Sequence, residues 1–107
     1  MTDETIVIEK ERETYLEDEV GSVILEKLNG NLFVHIYVNV DLTPDVVRYM
    51  RSVWEMLQWD AYWSGFDDIF SYSENERFIK LMDKEFKPVK KIGHVTLFHK
   101  ELEDYGN

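Results

Sequence analysis

The chain has 107 residues, 44% of them hydrophobic and 14% aromatic, with a formal net charge of −10 and no cysteine. That length supports one domain with one modest core, and the composition excludes a largely disordered chain. Without cysteine there are no disulfides, thiolate nucleophiles or cysteine zinc sites, so any chemistry falls to His, carboxylates, Tyr, Ser or a bound cofactor.

No run of about 18 apolar residues occurs, and the N-terminus "MTDETIVIEKERETYLEDEV" is acidic where a signal peptide is basic and then greasy. The expectation is a soluble, cytoplasmic protein with no membrane partner. Charge is unevenly spread: residues 1–20 hold eight acids against Lys10 and Arg12, whereas residues 74–100 hold seven bases against four acids. A strongly negative end repels phosphate, which argues against direct nucleic-acid binding and for a basic protein partner. Glu11, Glu13, Glu17, Asp18 and Glu19 are the candidate contacts, and a solvated acidic face is the plainer account of them.

In chain order, residues 5–10, "TIVIEK", read as a short strand, and residues 11–19 as a connection or a turn of helix too poor in apolar residues to stand alone. "VGSVILEKLNGNLFVHIYVNV" then gives two strands around Asn29-Gly30, a pair suited to the positive φ angles of a type I′ hairpin. In the second arm Leu32, Val34, Ile36, Val38 and Val40 share one face, and Phe33, His35, Tyr37 and Asn39 the other.

A helix follows. Thr43 is its cap, Pro44 takes the first position, Asp45 suits the dipole, and Gly65 is the stop. Val46, Met50, Val53, Trp54, Leu57 and Ala61 form its stripe. Tyr49, Met56, Trp59, Tyr62 and Trp63 lie off that stripe, so the helix is either the most buried one or presents a patch to a partner. Trp59 and Trp63 are the candidate contacts, with a protein surface or a homodimer as the alternatives to core packing.

"FDDIFSYS" reads as a strand, and Ser73 with Glu76 as a capping box for a second helix with Phe78, Ile79, Met82 and Phe86 inward and Arg77, Lys80, Asp83 and Lys84 outward. Pro88 is expected to end that helix. "KPVKKIG" and "HVTLFHKEL" are two closing strands, or one bent near Gly93, and residues 103–107 a frayed tail. The result is a single α+β domain over residues 1–107, with helices on a mostly antiparallel sheet. His94 and His99 are five apart and fall on opposite strand faces, so no metal site is expected.

Over residues 20–102 this order resembles the GNAT superfamily of N-acetyltransferases. "GSVILEKLNGNLFVHIYV" is similar to the family's hairpin and central strand, and Asn75, Arg77, Ile79 and Leu81 match its Asn-x-Arg-x-Ile-x-Leu helix. The resemblance implies a GNAT-like sheet with two main helices and acetyl-CoA as cofactor. For an enzyme it implies Val38, Val40 and Asn75 as cofactor contacts, and His35, Tyr37 or Asp41 as base. Three departures point the other way. The turn "DLTPDVVR" has no glycine for close backbone approach to a diphosphate, a proline that deletes a donor, and Asp41 and Asp45 beside the site. Met82 stands where many members carry a tyrosine acid, and Glu85 where a glycine is usual. Almost no room remains between Lys10 and Val20 for the two helices that wall the acceptor site.

The expectation is therefore a non-catalytic, GNAT-like interaction protein without cofactor, similar to small proteins of tailed bacteriophages that act as virion components or host-interaction factors in the host cytoplasm. The alternatives are an acetyl-CoA-dependent N-acetyltransferase and an acidic DNA-mimic inhibitor of a basic host protein.

Overall fold

Asn29 and Gly30 both take positive φ, 52° and 82°, as a type I′ turn requires, and the strands they join anchor the molecule. In a computed structural model, which describes residues 11–102, the elements are β1 (Arg12–Glu17), β2 (Gly21–Leu28), β3 (Asn31–Val38), α1 (Pro44–Trp63), β4 (Asp68–Ser73), α2 (Glu76–Met82), β5 (Lys87–Ile92) and β6 (Val95–Glu101). The strand expected over residues 5–10 and the tail over 103–107 lie outside the described residues. The six strands form one sheet in the order β1-β2-β3-β4-β6-β5, with β3 and β4 parallel and every other pair antiparallel. This is an α+β fold with two helices packed on a mixed, mostly antiparallel sheet.

The alternation of each strand decides what is buried. Val23, Leu25, Leu32, Val34, Ile69 and Phe98 point to one side, where they meet Met50, Val53, Trp54, Leu57 and Ala61 of α1 and Phe78, Ile79 and Met82 of α2. Both helices therefore cover the same face. Ile36 and Val38 are half-buried at the end of the β3 stripe, while Val40 lies beyond the strand and is exposed. Gly21 is required where β2 starts: a Cβ there would sit 1.9 Å from the Tyr37 carbonyl oxygen of the adjacent strand.

Helix α1 has the expected ends. The Thr43 hydroxyl accepts the Val46 N–H at 3.3 Å, with Pro44 at the first position. At the other end Gly65 has φ 94°, its N–H reaches the Tyr62 carbonyl, and Phe66 N–H reaches the Ala61 carbonyl, a Schellman closure.

Three expectations are corrected. Residues 12–17 are an edge strand rather than a connection. Leu16 packs against the core and Tyr15 bonds to α1, while the outward charges stay in water at the sheet edge. The cap of α2 is Asn75, whose side chain accepts the Phe78 N–H at 3.0 Å; Ser73 sits earlier and accepts the Asn75 N–H, while Glu76 accepts from Thr96. Finally, α2 stops at Met82 because Asp83 turns extended and its carboxylate is drawn inward, so Phe86 reaches the core from the following turn and Pro88 lies in β5.

The β3–β4 ladder is short. Pairing covers Leu32 with Ile69 and Phe33 with Phe70; one step further the Ser71 hydroxyl donates to the Val34 carbonyl at 2.7 Å, a side chain standing in for the ladder.

Candidate functional site

A helix N-terminus binds anions through its unpaired N–H groups and the positive end of its dipole. In the first turn of α1 those donors are largely spent. Pro44 has none, Thr43 N–H goes to the Asp41 carbonyl at 2.9 Å, and Val46 N–H to the Thr43 hydroxyl. Carboxylates surround what is left. Asp45 pairs with Arg48, and Asp41 lies in the preceding loop. The β1–β2 turn is tied to the helix by the Tyr49 hydroxyl, which donates to Asp18; Asp18 also accepts the Val20 and Gly21 N–H groups at 2.9 and 3.2 Å. The Tyr49 bond holds the Asp18 carboxyl below the usual carboxylate range and raises the Tyr49 phenol in turn. It also carries Glu17 and Glu19 to the same end of the molecule.

The other half of α1 is open and aromatic. Met56, Trp59 and Trp63 are 54%, 42% and 50% exposed, and the two indoles meet at 5.6 Å with Tyr62 edge-on to Trp63 at 5.4 Å. Trp59 rims a groove of about 510 Å³ between α1, the end of α2 and β6, lined also by Arg51, Trp54, Glu55, Gln58, Met82, Asp83, Glu85 and Lys100.

The groove floor is a buried ion pair. Lys100 donates to Asp83, with side chains 8% and 10% exposed, and Trp54 Nε1 donates to the same carboxylate oxygen at 2.8 Å. Lys100 also lies 3.8 Å from Glu85, and Arg51 Nε donates to the Leu81 carbonyl at 2.8 Å, closing α2. Burial pushes the Asp83 carboxyl up, but the bonds from Lys100, Trp54 and the Glu85 N–H outweigh it and leave the group below its ordinary value. Both charges are thus satisfied internally, which suits a structural clamp better than a base or nucleophile. The rim, with one indole face and the Glu55 and Glu85 carboxylates, has the chemistry to receive a cation.

Residues named from the sequence are dispersed. His35 is held by Glu26 at 3.1 Å, Tyr37 is 51% exposed, and Asp41 is in the loop beyond β3. Val38 ends β3, Val40 follows it, and the Asn75 side chain is occupied as a cap. Among the acids, Glu11, Glu17 and Glu19 are exposed and Asp18 is bound to Tyr49. Glu13 shares the helix-covered face with its cross-strand partner Leu25, and its Oε1 is shielded without a hydrogen-bond partner. Among the described residues no group of three or more His, Cys, Asp or Glu could hold a metal.

Sequence reasoning missed two pairs, Asp83–Lys100 and Tyr15–Asp60. The Tyr15 hydroxyl donates to Asp60 at 2.5 Å, and burial first, then that bond, raises the phenol. For Asp60 a signal existed: a carboxylate directly before the buried Ala61 needs a partner. The chain matches no protein-family model and no curated protein. No helix among the described residues is long and apolar enough to cross a membrane.

Proposed function

We propose that this chain is a non-catalytic binding module on a GNAT-like scaffold, engaging a basic protein surface through the exposed aromatic half of α1 and the neighbouring carboxylates. One observation carries the reading: of the N–H positions that open α1, Pro44 has no donor and those of Thr43 and Val46 are bonded internally, with Asp41 and Asp45 in the same short segment. A diphosphate there would meet like charge in place of N–H donors. The aromatic patch supports the binding role, since Trp side chains with an apolar body and a polar N–H dominate interface energetics.

One feature favours the alternative, an acetyl-CoA-dependent N-acetyltransferase. Pairing between β3 and β4 ends at Phe33 and Phe70, leaving the later part of β3 open on that side.

Calorimetry with acetyl-CoA separates the two. The binding module gives no heat; saturable binding at micromolar affinity, about −8 kcal/mol, overturns it. An arginine-rich peptide titrated against tryptophan fluorescence tests the partner chemistry. Binding that weakens with salt and with Trp59→Ala or Trp63→Ala is expected, and no response to the peptide refutes a basic partner.

A further inference from the structure

The groove between α1 and α2 is preformed. Arg51 Nε donates to the Leu81 carbonyl at 2.8 Å and Trp54 Nε1 to Asp83 at the same distance, so α1 is tied to the end of α2 across it. Lys100 of β6 closes the floor on Asp83. A cleft held open in this way spends little on reordering when a ligand enters. Its volume of about 510 Å³ falls within the roughly 300–1,000 Å³ of ligand-sized sites.

The charges left over select a cation. Asp83 and Lys100 cancel in the floor, and Arg51 is engaged at the end of α2. Of the two remaining carboxylates, Glu85 is 56% exposed and lies 3.8 Å from Lys100, a cation already bound to Asp83. The Glu55 carboxylate makes no hydrogen bond or ion pair with any described residue. The two stand on different walls, Glu55 on α1 and Glu85 in the turn before β5, with the half-exposed Trp59 on the rim. A compact metal ion does not fit, since among the described residues no group of three or more His, Cys, Asp or Glu could hold one. An extended organic cation does, because it can lie on the indole and still reach a carboxylate.

Arginine fits better than lysine. The guanidinium is flat, weakly hydrated and carries five N–H donors in a fixed fork, so one group can stack on Trp59 while donating to carboxylates from two elements. An ammonium is a point charge that holds its water. The cation belongs to a protein rather than to a free small molecule, because the apolar surface does not stop at the rim. Trp63 meets Trp59 at 5.6 Å and, with Met56, carries the exposed surface along α1. Such a surface contacts whatever surrounds the arginine.

We propose that this groove is an arginine-selective pocket, taking one arginine side chain of a partner protein with its guanidinium on the Trp59 ring and bonded to Glu55 and Glu85. This selectivity rests on the reading of the chain as a binding module for a basic protein surface, and goes beyond it in naming which basic side chain is recognised and where.

Calorimetry at low salt with octa-arginine and octalysine, equal in length and charge, tests the pocket. Octa-arginine binds about fivefold tighter. Trp59→Ala removes that preference, and Glu55→Gln and Glu85→Gln each weaken octa-arginine about threefold and narrow the gap. Glu17→Gln, at the β1 edge of the sheet, leaves the ratio of the two affinities unchanged. Circular dichroism confirms that each variant is folded. Equal affinity for the two peptides, or a preference that survives Trp59→Ala or both glutamine variants in the groove, overturns the pocket while leaving a basic partner standing. So does a ratio that Glu17→Gln changes as much as they do. Binding of neither peptide overturns both.

Discussion

Lys100→Met breaks the ion pair under the groove while keeping most of the side chain's length. The Asp83 carboxylate, only 10% exposed, then retains Trp54 Nε1 and the Glu85 N–H but loses its counter-charge. Removing one partner of a buried pair costs about 3–5 kcal/mol, because a charge stays buried and uncompensated. Set against a typical domain stability of about 5–15 kcal/mol, that is a large fraction. At an m-value of about 1.5 kcal/mol/M it lowers the urea midpoint by about 2–3 M. Trp54 reports the change directly, since it bonds to Asp83 and stacks on Phe86 at 5.1 Å. The pH dependence has a fixed sign. Asp83 is lowered below its unfolded value of 3.8 in the folded state, so its contribution is complete above that value and is lost as pH falls from there through the folded pKa. Lys100→Met should flatten that acid limb. The paired variant Asp83→Leu with Lys100→Met should recover most of the loss, as apolar replacements of buried pairs do. A cost for Lys100→Met under about 1 kcal/mol, the scale of a surface pair, would refute the reasoning.

Tyr15→Phe removes the only hydroxyl bonded to buried Asp60 in the hydrogen bonds described above, and should cost about 1–3 kcal/mol by chemical denaturation. Gly21→Ala pushes a methyl group into the Tyr37 carbonyl and should cost about 1–3 kcal/mol, read as a lower melting temperature; an unchanged value would mean the hairpin yields freely. Thr43→Ala exposes the Val46 N–H and should cost about 1 kcal/mol, with helical content near that of the wild type by circular dichroism.

What could be read from the sequence was local. Asn29-Gly30 and Thr43-Pro44 determine their own backbone, so the hairpin and the start of α1 follow from residues next to one another. The edge strand β1 did not, because what holds it is Tyr15 reaching Asp60 and Leu16 reaching the core, contacts made across the fold. The end of α2 failed for the same reason. Asp83 has the composition of a solvent-facing residue until Trp54 and Lys100, distant in sequence, close over it. At the capping box two competent residues stood two positions apart, and the sequence does not say which bonds to which; Asn75 caps and Ser73 holds Asn75. The candidate site divides likewise. The place of Trp59 and Trp63 off the α1 stripe left core packing and an exposed patch both open, and only the tertiary structure shows them exposed and Trp59 bordering a groove.

The brief parallel ladder between β3 and β4 divides the molecule mechanically. On one side residues 12–38 form a three-strand meander closed by short turns, on the other residues 68–101 form a second antiparallel unit in which β4 meets β6 after the chain has passed through α2 and β5. Two backbone pairs and one serine hydroxyl stitch the two at the centre, and α1 bridges them. The meander and the β5–β6 hairpin can zip from neighbouring residues, but the central stitch must wait for the long loop through α1 to close. A pulling force applied across the strands would accordingly part the sheet there.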